Sequence, residues 1–233
     1  MPEGRIENTR AARVARVAGL YAVTPDLADT DALARKVAAA LAGGATVIQY
    51  RNKTADRALR TQQAITLARL VSHHRALFIV NDDADIAAEV NADGVHVGDD
   101  DADITVARAR VGAEGLVGAS CYDDLDRAVR AVANGADYVA FGSFFPSGTK
   151  PDARRANRAL LVRARSLGVP VVAIGGITSA NAKSLIDAGA NAIAVIADVF
   201  AREDPLEIRR AAAALAALYS RDPTSRDSAA DVG

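Results

Sequence analysis

A single cysteine, Cys121, stands among the 233 residues, so no intramolecular disulfide can staple this chain. There is no run of about 18 uncharged apolar residues, which leaves no segment able to cross a bilayer as a helix. Net charge is missing too. The 28 basic and 29 acidic residues leave -1, too little for a global field that would draw the protein onto nucleic acid or an anionic membrane. Any anion site must therefore be local. The N-terminal stretch carries arginines but lacks the unbroken apolar core of a signal peptide, and Glu3 and Glu7 interrupt a transit-peptide pattern. Residues 1–18 read as an arm, and a reducing cytoplasm fits the set of absences.

What is present is one long alternation. Half of the residues are hydrophobic, enough for one sizeable core, and α/β barrels reach this length as a single domain. Between residues 19 and 219, β-rich runs alternate with alanine-rich stretches of helical period. The pattern predicts strands at 19–23, 46–50, 77–80, 94–97, 116–119, 138–141, 171–174 and 192–196. Helices are expected at 31–42, 55–74, 83–90, 103–110, 123–134, 158–167, 179–188 and 205–219. The Gly43-Gly44 pair, Gly135 and Gly189 close three of those helices before the next strand, as left-handed C-caps do. Eight βα units in one domain imply closure into a (β/α)8 TIM barrel over residues 19–219. From residue 220 periodicity and aromatics disappear, so residues 220–233 are expected to form a disordered tail.

In such barrels the chemistry gathers at the C-terminal ends of the strands. There the sequence sets Gln49, Tyr50, Arg51, Asn52 and Lys53 after the second strand, Asn81, Asp82 and Asp83 after the third, and Asp99, Asp100 and Asp101 after the fourth. Ser147, Gly148, Thr149 and Lys150 follow the sixth. Arg51, Lys53 and Lys150 suit a diphosphate, the guanidinium as a fork and the ammoniums as point charges. Gln49, Arg51 and Lys53 are spaced by two, so an extended strand end would aim them the same way. Carboxylates beside a diphosphate need a bridging hard cation, and Mg2+ takes carboxylates together with phosphate oxygens and water. Asp82 and Asp101 are the expected ligands. Asp83, Asp99, Asp100 and Asp103 read instead as a solvated acidic loop and helix caps. Spacing alone does not decide which aspartate of 99–101 faces inward. A second anion site is expected where Gly175 and Gly176 join the seventh strand to its helix, beside Ile196 and Ala197 at the end of the eighth. Cys121 reads as a small packed side chain, His96 as packing in or near the barrel, and His73 and His74 as a helix end. None is assigned catalysis.

Across residues 19–208 the chain resembles the thiamine phosphate synthase family. The shared elements are the opening Gly19, Leu20, Tyr21 to Thr24, the Gln-x-Arg-x-Lys at Gln49, Arg51 and Lys53, and the pair Asn81 and Asp82. Three more follow in family order: His96 to Asp101, Phe145 to Lys150, and Ala173 to Ile177. The resemblance implies that Gln49, Tyr50, Arg51, Asn52, Lys53, Asn81, Ser120 and Lys150 hold an aminopyrimidine diphosphate, with Arg51, Lys53, Lys150 and Ser120 serving catalysis. It implies Mg2+ on Asp82 and Asp101, and a thiazole phosphate on Ser147, Gly148, Thr149, Gly176, Ile196 and Ala197. The implied reaction is dissociative: pyrophosphate leaves, a pyrimidinylmethyl cation forms, and the thiazole nitrogen captures it. Four positions depart from the family pattern: Asp99 where Gln is usual, Asp83 for Arg, Ser147 for Thr, and Ala197 for Ser. Two other readings compete, a thiazole tautomerase on the same fold and a non-catalytic sensor of phosphorylated metabolites. The tautomerase has no need of the Gln-x-Arg-x-Lys and two-aspartate set, and the intact metal and leaving-group residues argue against the sensor. The expected partners are two phosphorylated small molecules, with a homo-oligomer left open.

Overall fold

The computed structural model describes residues 9–98, 101–146 and 155–219, with backbone alone at 101–103. The chain opens with helix α1 (Arg10–Ala15) and then alternates: β1 (Gly19–Val23), α2 (Thr30–Ala42), β2 (Ala45–Tyr50), α3 (Arg57–His73), β3 (Leu77–Asn81), α4 (Ala84–Glu89) and β4 (Gly94–Val97). It continues with α5 (Asp101–Val111), β5 (Leu116–Tyr122), α6 (Leu125–Ala133), β6 (Tyr138–Phe141), α7 (Ala159–Ala164), β7 (Val171–Ile174), α8 (Lys183–Ala188), β8 (Ala192–Val195), α9 (Ala197–Phe200) and α10 (Pro205–Ala216). Each strand pairs in parallel with its sequence neighbours, and β1 pairs with β8, so the sheet closes into the expected (β/α)8 barrel. Helices α1 and α9 go beyond the periodic pattern, because pieces of six and four residues are too short to reveal a period.

Alternation along the strands separates two cores. Tyr21, Val47, Ile79, Leu116, Tyr138 and Val172 fill the inside of the ring. Their neighbours, such as Ala22, Ile48, Tyr50, Phe78 and Val117, pack outward against Leu33, Leu67, Ile104 and Leu161 of the helices. Aspartates start the helices at the upper rim: Asp29, Asp56, Asp83 and Asp124 each accept a backbone N–H from the first turn.

Residues 9–18 pack against the lower end of the barrel. Val17 is buried with the interior core and Val14 packs on it. Arg10 and Arg108 both meet Asp137, which also accepts the backbone N–H of Val117 at 2.7 Å. Arg13 pairs with Asp93 at 3.1 Å. This floor leaves the opposite end open, where the strands deliver their carboxyl-terminal residues.

Candidate active site

The last inward-facing position of each strand reaches this mouth. Gln49, Asn81, His96 and Ser120 come from β2 to β5 in succession and sit side by side, because adjacent strands are only about 4.8 Å apart. Ile174 and Ile196 close the ring as apolar walls from β7 and the end of β8.

Beyond β2 the chain leaves the strand, and its charged side chains take directions set by partners. Thr24 of the β1 loop accepts Arg51 N–H at 2.8 Å and donates to Arg51 carbonyl at 2.9 Å. Asp26 accepts Arg51 Nη1 at 3.0 Å and the backbone N–H of Lys53 at 2.8 Å. Lys53 swings the other way, its Nζ 3.2 Å from Asp82 Oδ2. Arg51 and Lys53 therefore flank the mouth instead of pointing together, which corrects the expectation of parallel aim.

Tyr50 and Asn52 turn their side chains away from the ring interior. Tyr50 faces the helix layer and donates to Gln63 Oε1 at 2.9 Å. Asn52 is buried, donating to the Leu27 carbonyl and Gln63 while its Oδ1 accepts from Thr54 and Ala55. Both tie the end of β2 to α3, and Asn52 also to the Leu27 carbonyl. A cleft of about 290 Å³ outside the ring is lined by Tyr50, Asn52, Lys53, Arg60, Asp82 and Asp83.

Asp82 stands on left-handed backbone, φ +62°, where Asp is tolerated better than most residues. Its backbone N–H bonds the His96 carbonyl at 2.8 Å, which fixes the carboxylate over the neighbouring strand end. Asp83 caps α4 and meets Arg60 at 3.4 Å, a structural role as expected. Asp101 is the first residue of α5, one strand over from Asp82; its side chain, with Asp99, Asp100 and residues 147–154, lies outside the described residues. The expectations for Ser147, Gly148, Thr149 and Lys150 fall there.

At the other side of the mouth, Gly175 and Gly176 both have positive φ, +104° and +62°. A Cβ on Gly176 would lie 2.3 Å from the Pro146 carbonyl, and one on Gly175 would lie 2.1 Å from Ser143 Oγ. Only glycine allows the β6 and β7 loops to approach this closely. Phe145 N–H bonds the Gly175 carbonyl at 3.0 Å, and Asn181 ties Gly176 to Thr178. Ala197 opens the short helix α9 beside this turn.

Three features escaped the sequence reading. Tyr21 and Tyr138 meet inside the ring, their hydroxyls 2.9 Å apart, and the Tyr138 hydroxyl also lies 3.2 Å from His96 Nδ1. Strand parity places both tyrosines inward, which is the signal that could have found them. Asp26 carries no motif of its own. Arg127, in the first turn of α6, reaches the carbonyls of Ser120 at 3.1 Å and Gly98 at 3.3 Å, with its guanidinium 5.4 Å from the Tyr122 ring centre. Burial pushes the pKa of His96 down to about 4, against a weaker upward pull from Asp82, so its imidazole is neutral. Cys121 is buried and packs in the outer core.

A closed eight-stranded parallel barrel with charged, hydrogen-bonded and glycine-turn elements collected at its carboxyl mouth defines a TIM-barrel enzyme. The chain belongs to the thiamine monophosphate synthase family, whose sequence profile matches residues 20–199. A thiamine-phosphate synthase of Chromobacterium violaceum is 53% identical over 198 residues, covering 85% of this chain and 96% of the relative. One of Thiobacillus denitrificans is also 53% identical, over 206 residues, 88% of this chain and 96% of that protein. A solved thiamine phosphate pyrophosphorylase of Pyrococcus furiosus superposes with a TM-score of 0.77 at 36% identity, covering 88% of this chain and 97% of that one. No helix among the described residues is long and apolar enough to cross a membrane.

Proposed function

We propose that this chain is a transferase that joins an aminopyrimidine methyl diphosphate to a thiazole phosphate, giving thiamine phosphate and pyrophosphate. The observation that carries the reading is the mouth itself: Gln49, Arg51, Lys53, Asn81, Asp82 and Ser120 lie on neighbouring strand ends, in a chain 53% identical to two thiamine-phosphate synthases.

The chemistry breaks one C–O bond and forms one C–N bond. As the diphosphate leaves, its oxygens gain charge and the pyrimidinylmethyl carbon becomes cationic; the thiazole nitrogen then supplies the electron pair. Arg51 and Lys53 flank the position of the leaving group and oppose its charge, with Asp26 holding the guanidinium in place. The exposed carboxylate of Asp82, held on left-handed backbone, fits a hard cation as an oxygen donor. Asp82 and Asp101 would hold Mg2+, which when bound neutralises charge on the departing pyrophosphate. The Gly175 and Gly176 turn, beside Ala197, supports a phosphate anchor that aligns the thiazole. Lys150 and the hydroxyls of Ser147 and Thr149 belong to the same proposal by their place after β6.

The reading is tested by mixing purified protein with both substrates, with and without Mg2+, and following thiamine phosphate and pyrophosphate together. Equal, Mg2+-dependent formation of both is expected. Binding of both substrates with neither product would overturn the reading in favour of a sensor.

A further inference from the structure

A line of hydrogen bonds crosses the barrel interior and ends on two residues of the mouth. Gln49 Nε2 donates to the Tyr21 hydroxyl at 2.9 Å, and that hydroxyl lies 2.9 Å from Tyr138 Oη. Tyr138 Oη lies 3.2 Å from His96 Nδ1, and His96 Nε2 lies 3.0 Å from Ser120 Oγ. The line joins β2, β1, β6, β4 and β5, and its first four members are buried.

Each phenol has one proton, so the direction of one bond sets the next. With Gln49 donating to Tyr21, the Tyr21 proton goes to Tyr138 and the Tyr138 proton to His96 Nδ1. A neutral imidazole that accepts on Nδ1 carries its proton on Nε2 and donates it to Ser120. The hydroxyl proton of Ser120 is then left for a ligand, and so is the amide oxygen of Gln49. Turning the Gln49 amide over reverses every bond. Gln49 would then offer its N–H groups to the ligand, and Ser120 only lone pairs.

We propose that this line is a directional relay that couples the amide of Gln49 to the hydroxyl of Ser120 and selects the amino form of the pyrimidine, with Tyr21 and Tyr138 as positioning residues. The proposal rests on the reading of Gln49 and Ser120 as contacts of the pyrimidine diphosphate. With Gln49 taken to face the ring amino group and Ser120 the diphosphate, one polarity alone offers an acceptor to the amino group and a donor to an anionic phosphate oxygen, where a charge-assisted bond is strongest. A pyrimidine with an oxo group in place of the amino group asks Gln49 for a donor. The relay then turns Ser120 into an acceptor facing an anion. Gly118 makes the arrangement possible: a Cβ there would lie 2.0 Å from the Tyr138 ring.

The test measures binding of the amino and oxo pyrimidine diphosphates by titration calorimetry, in wild type, Tyr138→Phe and Tyr21→Phe. Binding is read instead of turnover because the amino group also stabilises the developing cation. Wild type is expected to favour the amino compound by roughly 10- to 100-fold, as sites with committed buried polar groups do. Both phenylalanine variants should lose most of that ratio. Nitrogen-15 NMR of His96 separates them: the proton should sit on Nε2 in wild type and Tyr21→Phe, and distribute over both nitrogens in Tyr138→Phe. An unchanged ratio in both variants, or an Nδ1 proton in wild type, would overturn the relay. Wild type that binds neither compound would overturn the substrate reading, while the NMR arm would still decide the relay.

Discussion

Lys53 Nζ stands 3.2 Å from Asp82 Oδ2, joining the loop after β2 to the end of β3, with the two side chains 59% and 48% exposed. An exposed pair of this kind contributes about 0 to 1 kcal/mol to folding. Its members matter more for what they offer a ligand than for holding two loops together. Lys53→Ala and Asp82→Asn should therefore melt within a few degrees of wild type, while kcat/KM falls about 100-fold. A thermal scan beside steady-state kinetics checks this. Unchanged kinetics in either variant would remove that residue from the leaving-group site.

Gly176→Ala acts on the other half of the mouth. The added methyl would lie 2.3 Å from the Pro146 carbonyl, on backbone at φ +62° that disfavours a side chain. Strain of about 1 to 3 kcal/mol and a displaced β6 loop are expected. The KM for the thiazole phosphate should rise at least tenfold, with a smaller change for the pyrimidine diphosphate. Equal effects on both substrates would contradict separate anchoring.

Asp137→Ala tests the floor. The carboxylate is buried among Arg10, Arg108 and Val117 N–H; its loss leaves the Val117 N–H without its acceptor, while Arg10 stays partly in solvent and Arg108 keeps the carbonyls of Gly112, Gly115 and Gly135. Stability should fall by about 1 to 3 kcal/mol, the cost of a buried donor left without its acceptor. Turnover per folded molecule should stay near wild type, because the floor lies at the end of the barrel opposite the proposed site. Denaturant melts and active-site-normalised rates read the two effects separately.

His96 gives the stability curve an acid limb. Its pKa falls from 6.5 in the unfolded chain to about 4 in the fold, so the unfolded state binds more protons between those values. The stabilisation from neutral His96 is complete above pH 6.5, shrinks as pH falls toward 4, and amounts to roughly 3 kcal/mol. His96→Gln should flatten that limb in urea melts taken from pH 7 to pH 4. A limb of unchanged slope would assign the proton uptake elsewhere.

The barrel was legible because its strands are short, β-rich and separated by helical periods; β1, β4, β6 and β7 begin and end where the pattern put them. Arg51, Lys53, Asn81 and Asp82 were placed at the mouth by their position at the strand ends, while Ser120 entered only through the family resemblance. Tyr50 and Asn52 turn away from the ring interior, and strand alternation holds the reason for Tyr50: if Gln49 faces inward, its neighbour faces out. Asn52 is different, since its direction comes from Gln63 and Leu27, contacts no local pattern encodes. The same holds for Arg51 and Lys53, whose aim is set by Asp26 and Asp82 once the strand has ended. The interior line from Gln49 to Ser120 needs five strands in register, so no local spacing announces it.

The pairing of Gly19 with Ala192 makes the seam of the ring lie between the first strand synthesised and the last. On the ribosome, β1 through β7 can assemble as an open sheet, but both edges stay unpaired until residues 192–195 emerge. Nascent chains thus wait with two sticky borders, and the interval before the eighth strand arrives is when one molecule is most exposed to capture by another. Slower elongation late in the message would lengthen that interval, so expression yield should respond to translation speed near β8 more than to speed near β4.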